Sequence, residues 1–553
     1  MNVKASKLAA PKAPQFTASD DRISAVLARS REISDLSAVL SLAAWDQNTA
    51  LPEGAGELRG EQLATLQGVI HEKWVDQRFG EQIASLADAV SKSSFTDADR
   101  GLLREVTRER EHATKLPRGL VEELARVEAS SFEAWKKARA TSDFALFSPW
   151  LARTITLQRE VADRYGYKGT RYDALLDLYE PGLTASRVDT LFSAVRETSQ
   201  RMLRRIQASG SDVDASLLEG SFAPERQMEL ARVILKRMGY DFARGGIAQS
   251  PHPFTTDFGS PYDVRVTVRP DERFVDSSIL AAIHEGGHAL YEQGSSPALA
   301  RTPLAGGASM GAHESQSRLW ENAIGRSVEF WQGQFDAMRA AFPERYTDAQ
   351  PAEFARALNR VQPTLIRIEA DEVTYNLHII IRYEMEKAMV NGEVAIESLP
   401  RIWNQKYKDY LGIEPPTDSD GILQDIHWTG GFGYFPTYTL GNLYAAQIYA
   451  ALRRAYPDLD ARLASGDTAF AHDWLRERMY QYGKTYEPEA LIRIVTGERP
   501  DPAYFAEYLT RKFEGVYGLP EEPVSTAPTP EAPGEKAARP APARDEKPRA
   551  KKR

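Results

Sequence analysis

Apolar residues recur at spacings of three, four and seven along most of the chain. The pattern is clearest near 22–43, 57–73, 117–140, 148–165, 185–208, 225–239, 330–341 and 367–390. That period puts apolar side chains on one face of an α-helix, so each segment is expected to be a helix with a buried stripe. Glycine and proline punctuate the intervals. One stretch departs from the pattern. Tyr262-Asp263-Val264-Arg265-Val266-Thr267-Val268 alternates with period two, as a half-buried strand does. No other convincing strand is expected, and the predicted fold class is predominantly all-α. Residues 21–520 contain no Pro/Ser/Gly-rich linker and no internal repeat, so they are expected to form one helical body, as a single unit or as two lobes about a groove. Residues 1–20 are expected to be a flexible N-terminus. The Pro-, Ala- and Lys/Arg-rich stretch 521–553 cannot bury a core and is expected to be a disordered tail.

Within one helical segment stands His284-Glu285-Gly286-Gly287-His288. On a helix, residues at i and i+4 share a face, so both imidazoles can bind one Zn²⁺. Glu285, beside the first ligand, can take a proton from water activated there, which is the core of a peptide-hydrolysing site. Asp276 and Ser277 are candidate N-caps for this helix, and Gly294 is a stop signal. Gly286 and Gly287 each cost roughly 1 kcal/mol relative to alanine in a helix. Two readings account for them: close approach of substrate or another backbone to the metal face, or tight helix–helix packing.

A catalytic zinc needs three protein ligands and one open position. A zincin pattern with a third histidine six residues after the second is excluded, because that position is Gly294 and the required glycine is Tyr291. Glu314, in His313-Glu314-Ser315-Gln316, lies 26 residues after His288 (314 − 288). The interval holds Pro297, Pro303, Gly306, Gly307 and Gly311, enough loop to bring a second helix back to the metal. Arg318, one turn on from Glu314, is placed to hold its carboxylate, and Glu292, one turn after His288, is a candidate supporting residue.

These motifs, with others in the same order, resemble the M32 metallocarboxypeptidases, the Taq-carboxypeptidase-like family. The others are Ala44-Trp45-Asp46-Gln47, Tyr172-Asp173-Ala174-Leu175-Leu176-Asp177, His252-Pro253-Phe254, Asp263-Val264-Arg265-Val266-Thr267, Ile366-Arg367-Ile368-Glu369-Ala370-Asp371 and Gly421-Ile422-Leu423-Gln424-Asp425-Ile426-His427-Trp428. The resemblance spans roughly residues 20–520, with no departure at the motif positions. It implies a helical saddle with a deep central groove and a small β element near the zinc helix. It also implies His284, His288 and Glu314 as metal ligands, Glu285 as general base and acid, and Zn²⁺ with Co²⁺ able to substitute. The implied activity is release of single residues from free C-termini with broad specificity, usually by a homodimer.

A carboxypeptidase must also bind a terminal carboxylate, which favours an arginine fork over a lysine point charge. Arg367 and Arg265, both in family motifs, are the candidates, and ion pairs with Asp371 or Asp263 are their structural alternatives. The tetrahedral intermediate needs further donors. The glycine-rich segment 427–438 offers His427, Tyr434 and Tyr438, without distinguishing among them. His378, in an apolar helical stretch, reads as a buried, hydrogen-bonded histidine. The strand containing Arg265 is a candidate to pair with an extended peptide.

Composition narrows the field. The absence of cysteine excludes disulfides, Cys-based zinc sites and Cys nucleophiles. No apolar run reaches the roughly 18 residues of a membrane span. The N-terminus lacks the apolar core of a secretory signal, so a cytoplasmic location is expected. A net charge of −9 argues against nucleic acid as a partner. Two rivals remain: an endo-oligopeptidase with the same zinc apparatus, and a catalytically silent zinc-binding scaffold.

Overall fold

The computed structural model describes residues 10–92 and 95–522, and helices dominate it. The segments expected near 22–43, 57–73, 117–140 and 185–208 are the helices Asp21–Thr49, Gly56–Val75, Arg118–Thr141 and Ala185–Ser209. Those near 148–165, 225–239 and 330–341 are Phe144–Tyr165, Pro224–Met238 and Val328–Ala341. Caps set several of the ends. Asp20 accepts from the amides of Arg22 and Ile23, and Gly239, at φ 108°, closes Pro224–Met238.

The helix expected from 367 begins only at Glu372. Asp371 is its N-cap and accepts from the amides of Val373 and Thr374, while Arg367–Glu369 forms a separate 3-10 turn. The helical period runs through a residue whose side chain stops the helix. Arg367 therefore stands on a turn.

Two strands escape the period-two pattern. The sheet has the order β1-β3-β2, with β1 (Gly245–Gln249) parallel and β2 (Thr255–Asp257) antiparallel to β3 (Val264–Val268). β1 reads Gly-Gly-Ile-Ala-Gln, with too few large apolar residues to alternate, and β2 has only three residues. Val264, Val266 and Val268 are fully buried and seat the sheet on the body.

The helix carrying the histidine motif, Val275–Gly294, packs on β3 and on the helix Met310–Arg318. Its N-cap position is Phe274, and Asp276 and Ser277 fall in its first turn. Asp271, accepting from the amides of Arg273 and Phe274, makes the turn that starts it. Gly294 is its last residue. Close packing accounts for both motif glycines. A Cβ on Gly286 would stand 2.6 Å from Leu235 Cδ2, and one on Gly287 would stand 2.6 Å from the Gln316 carbonyl oxygen. Gly287 thus sets how near the two helices approach.

Buried apolar residues form one large cluster through residues 120–517 and a second among the first four helices, which also takes in Leu299 and Leu304. Of the N-terminus expected to be flexible, residues 10–20 make bonds to both regions. Thr17 Oγ1 donates to Asp99 at 2.5 Å, and Tyr482 donates to the Pro11 carbonyl at 2.8 Å. Residues 1–9, and the tail from 523 onward that was expected to be disordered, lie outside the described residues. Among the described residues, no helix is long and apolar enough to cross a membrane.

Candidate active site

The helical spacing puts His284 and His288 side by side, and the loop after Gly294 returns Met310–Arg318 against them, capped by Ser309. Glu314 Oε2 lies 3.6 Å from His284 Nε2 and 3.4 Å from His288 Nε2. The donor atoms of the three residues all fall within 4.8 Å of one another. His284 and His288 side chains remain 19% and 16% exposed, so the cluster is reachable from solvent. Two imidazole nitrogens and one carboxylate oxygen on a shared centre suit Zn²⁺, which takes three such ligands and leaves one position open.

The remaining polar atoms of the cluster are committed elsewhere, which supports that fit. Arg318 Nε donates to Glu314 Oε1 at 2.7 Å. His284 Nδ1 pairs with Glu321 Oε2 at 2.9 Å, and His288 Nδ1 with His313 Nδ1 at 2.6 Å. For Nε2 to hold a metal it must be unprotonated, which leaves the proton on each Nδ1, where it is donated outward. His313 Nε2 in turn donates to Glu292 Oε1 at 2.6 Å, so Glu292 supports His288 through a second ring. Burial opposes the charge on Glu314, but Arg318 and the two imidazoles hold its carboxyl far below the usual range. Burial likewise disfavours charge on His288, whose pKa falls to about 4. For His284, burial is outweighed by Glu314 and Glu321, and its pKa is raised.

Glu321 and His313 were not anticipated. Glu321 is one turn beyond Arg318, in a π-helical widening at Leu319–Ile324, and the helical period could have suggested it. His313 adjoins Glu314 in its motif, but its role depends on which way its ring turns.

Glu285, next in sequence to the first ligand, lies within the electrostatic reach of His284, Glu314 and His313. Burial pushes its carboxyl up from the ordinary range, and the Thr255 hydroxyl donates to its Oε2 at 2.7 Å. Thr255 opens β2, one of the two edge strands of the sheet, so that edge lies directly beside Glu285.

The two arginines have different surroundings. Arg265 Nε and Nη2 both bind Asp263 at 2.8 Å, and its guanidinium lies 4.9 Å from the Phe258 ring centre. Arg367 is buried and pairs with Asp425 at 2.9 Å, not with Asp371. Asp425 is shared with the fully buried Arg382 at 2.5 Å, so this trio carries one net positive charge. Arg367 Nη1 lies 3.4 Å from the Tyr375 hydroxyl. Arg318 stacks 4.5 Å from the Tyr375 ring, which links Arg367 to the Glu314 network. The Arg367 guanidinium also lies 5.1 Å from the Tyr438 ring.

His427, Tyr434 and Tyr438 form one aromatic group, with ring centres 5.2–6.3 Å apart. Burial and the two arginines lower the His427 pKa to about 4, leaving a neutral ring at neutral pH. Its Nδ1 is buried with no hydrogen-bond partner among the described residues. His378 is fully buried and bonded to the Tyr407 hydroxyl at 3.0 Å, as its apolar setting implied.

The chain is similar to known metallocarboxypeptidases over most of its length. The family profile described as carboxypeptidase Taq (M32) metallopeptidase matches residues 25–513. Carboxypeptidase 1 of Bacillus subtilis is 40% identical over 490 residues, covering 88% of this chain and 97% of its own. Thermostable carboxypeptidase 1 of Thermus thermophilus is 40% identical over 499 residues, covering 88% and 97%. The crystal structure of an M32 carboxypeptidase from Deinococcus radiodurans superimposes with a TM-score of 0.87 at 37% identity, covering 90% of this chain and all of that one.

Proposed function

The chain belongs to the M32 (carboxypeptidase Taq) metallopeptidase family and is a metallocarboxypeptidase, and from that premise we propose that it is a Zn²⁺ enzyme in which Glu285 is the general base. It removes single C-terminal residues from peptides with broad specificity and works as a cytoplasmic homodimer, as the family resemblance implies. His284, His288 and Glu314 hold the metal, and Co²⁺ can replace Zn²⁺. The observation that carries the reading is the convergence of these three side chains beside a buried carboxylate braced by Thr255.

A bound Zn²⁺ supplies Lewis acidity to water and to the scissile carbonyl. Every other part of the reaction belongs to groups of the chain itself. Glu285, its proton affinity raised by burial, takes a proton from the attacking water and returns it to the leaving amine. The β2 edge offers unpaired backbone groups to an extended peptide. Arg367 anchors the terminal carboxylate, supported by the single net positive charge it shares with Asp425 and Arg382. Arg265, whose fork is taken by Asp263, is the weaker candidate. His427, Tyr434 and Tyr438 supply donors to the oxyanion.

A matched pair of peptides tests the reading: one with a free C-terminus, the other amidated. Stepwise loss of single residues from the free peptide alone is expected. Equal internal cleavage of both would make the enzyme an endo-oligopeptidase and remove the role of Arg367. Glu285→Gln is expected to keep the metal and lose on the order of 10³-fold in kcat. A variant that turns over at the parental rate would take the general base away from Glu285.

A further inference from the structure

The chemistry above leaves Glu386 and the 172–177 motif unused. Glu386, on the helix Glu372–Asn391, is 1% exposed, and none of the described lysines or arginines pairs with it. Its carboxylate accepts three neutral donors instead. Tyr172 donates to Oε2 at 2.7 Å, the Gly433 amide donates to Oε2 at 3.0 Å, and Trp428 Nε1 donates to Oε1 at 3.0 Å. Burial pushes its carboxyl up to about 7. Few native proteins bury a carboxylate without a cation unless the bonds it makes are needed.

Trp428 and Gly433 bracket one tight segment of chain. His427 directly precedes the first, and Tyr434 directly follows the second. Gly433 has φ +97°, and a Cβ there would stand 2.6 Å from the Leu175 carbonyl oxygen, so the segment is pressed onto the short helix Arg171–Leu176, which carries Tyr172. On its other flank, Gln158 donates to the Gly430 carbonyl at 2.9 Å.

We propose that Glu386 is a positioning residue: its two oxygens tie both ends of the 428–433 segment, held in turn by Tyr172, and so aim His427 and Tyr434 at the substrate. The inference rests on the reading of that segment as substrate-facing. It also gives the 172–177 motif a task, as the platform under the loop. A carboxylate suits the position because both oxygens accept. An amide there would turn a donor towards either Trp428 or Gly433.

Glu386→Gln, studied as full-length metal-loaded protein, tests this in two ways. Hydrogen exchange of the amides in 429–435 is expected to rise at least about tenfold, with Met310–Arg318 and the metal content unchanged. On the free C-terminal peptide, kcat is expected to fall by about 10- to 100-fold, with KM shifted far less. Tyr172→Phe, which leaves both loop bonds in place, is expected to move both readouts the same way by less. Adding Tyr434→Phe to Glu386→Gln is expected to cost less than the product of the two single losses.

Unchanged exchange in 429–435 for both variants overturns the brace, and so does a lowered denaturation midpoint with full kcat. If Tyr434→Phe and His427→Ala both retain parental kcat, the substrate-facing reading falls instead, while the exchange data still decide the brace.

Discussion

The two ligand histidines sit one helical turn apart, yet they are held by opposite means. His284 hands its Nδ1 proton to Glu321, a carboxylate that also binds Arg318 at 3.1 Å and Arg326 at 3.0 Å. His288 hands its proton to another imidazole, His313, and reaches a carboxylate, Glu292, only at the next step. Glu292 is steadied by a backbone amide, Gly307, rather than by an arginine. The first support is a charge network, and the second is a chain of rings. Their electrostatic consequences diverge accordingly: the pKa of His284 is raised, and that of His288 falls to about 4. A single helical motif therefore does not make its two ligands equivalent. What lies behind each ring decides how firmly it is aimed and how readily it takes a proton.

The largest effect expected from breaking this asymmetry is on the charged branch. Glu321→Ala leaves two part-buried arginines short of a partner and is expected to cost roughly 3 kcal/mol of stability. It should also weaken metal binding by about 100-fold. Calorimetric metal titration and denaturant unfolding read both. A smaller affinity loss than for the His313 variant would reverse the ranking of the two supports.

Glu180 probes the helix that both rings face. It accepts from the Gly311 amide at 3.1 Å and from Tyr444 at 3.0 Å, and burial pushes its carboxyl up to about 7 from 4.5. The folded protein keeps a proton there that the unfolded chain gives up near pH 4.5. Its contribution is fully present below that pH and is lost as pH rises through about 7. The decline is worth at most about 3 kcal/mol. Glu180→Gln should flatten it, as seen in denaturation midpoints at pH 5 and pH 8. Equal declines in parent and variant would mean Glu180 is ionised throughout.

The smallest effect is expected on the neutral branch. His313→Ala removes a ring but leaves Glu292 bonded to Gly307, and should cost about tenfold in metal affinity. The same titration measures it, and a loss equal to that of Glu321→Ala would erase the distinction.

Much of this site was legible in the chain because its parts are local. Helical periodicity is enough to put His284 and His288 on one face, with Arg318 one turn from Glu314. Motif order was enough to bring Arg367, His427 and Tyr438 into consideration together. The misses share a cause. The start of the helix at Glu372 was set by the Asp371 side chain, which a stripe of apolar residues does not reveal. β1 and β2 are too short or too glycine-rich to show a period.

The sequence by itself determined the helical class, the ligand spacing and the residue types that a metallopeptidase requires, since these follow from a 3.6-residue repeat and from ligand chemistry. The tertiary structure alone decided what stands behind those residues. Glu321 meets His284 across 37 positions, and Glu386 meets Tyr172 across 214. It also chose between the two explanations of the motif glycines and gave Arg367 a different partner from the one its neighbours offered. Support of this kind comes from packing between distant helices. A buried polar group takes whichever partner the fold brings within about 3 Å, and no local pattern records that choice.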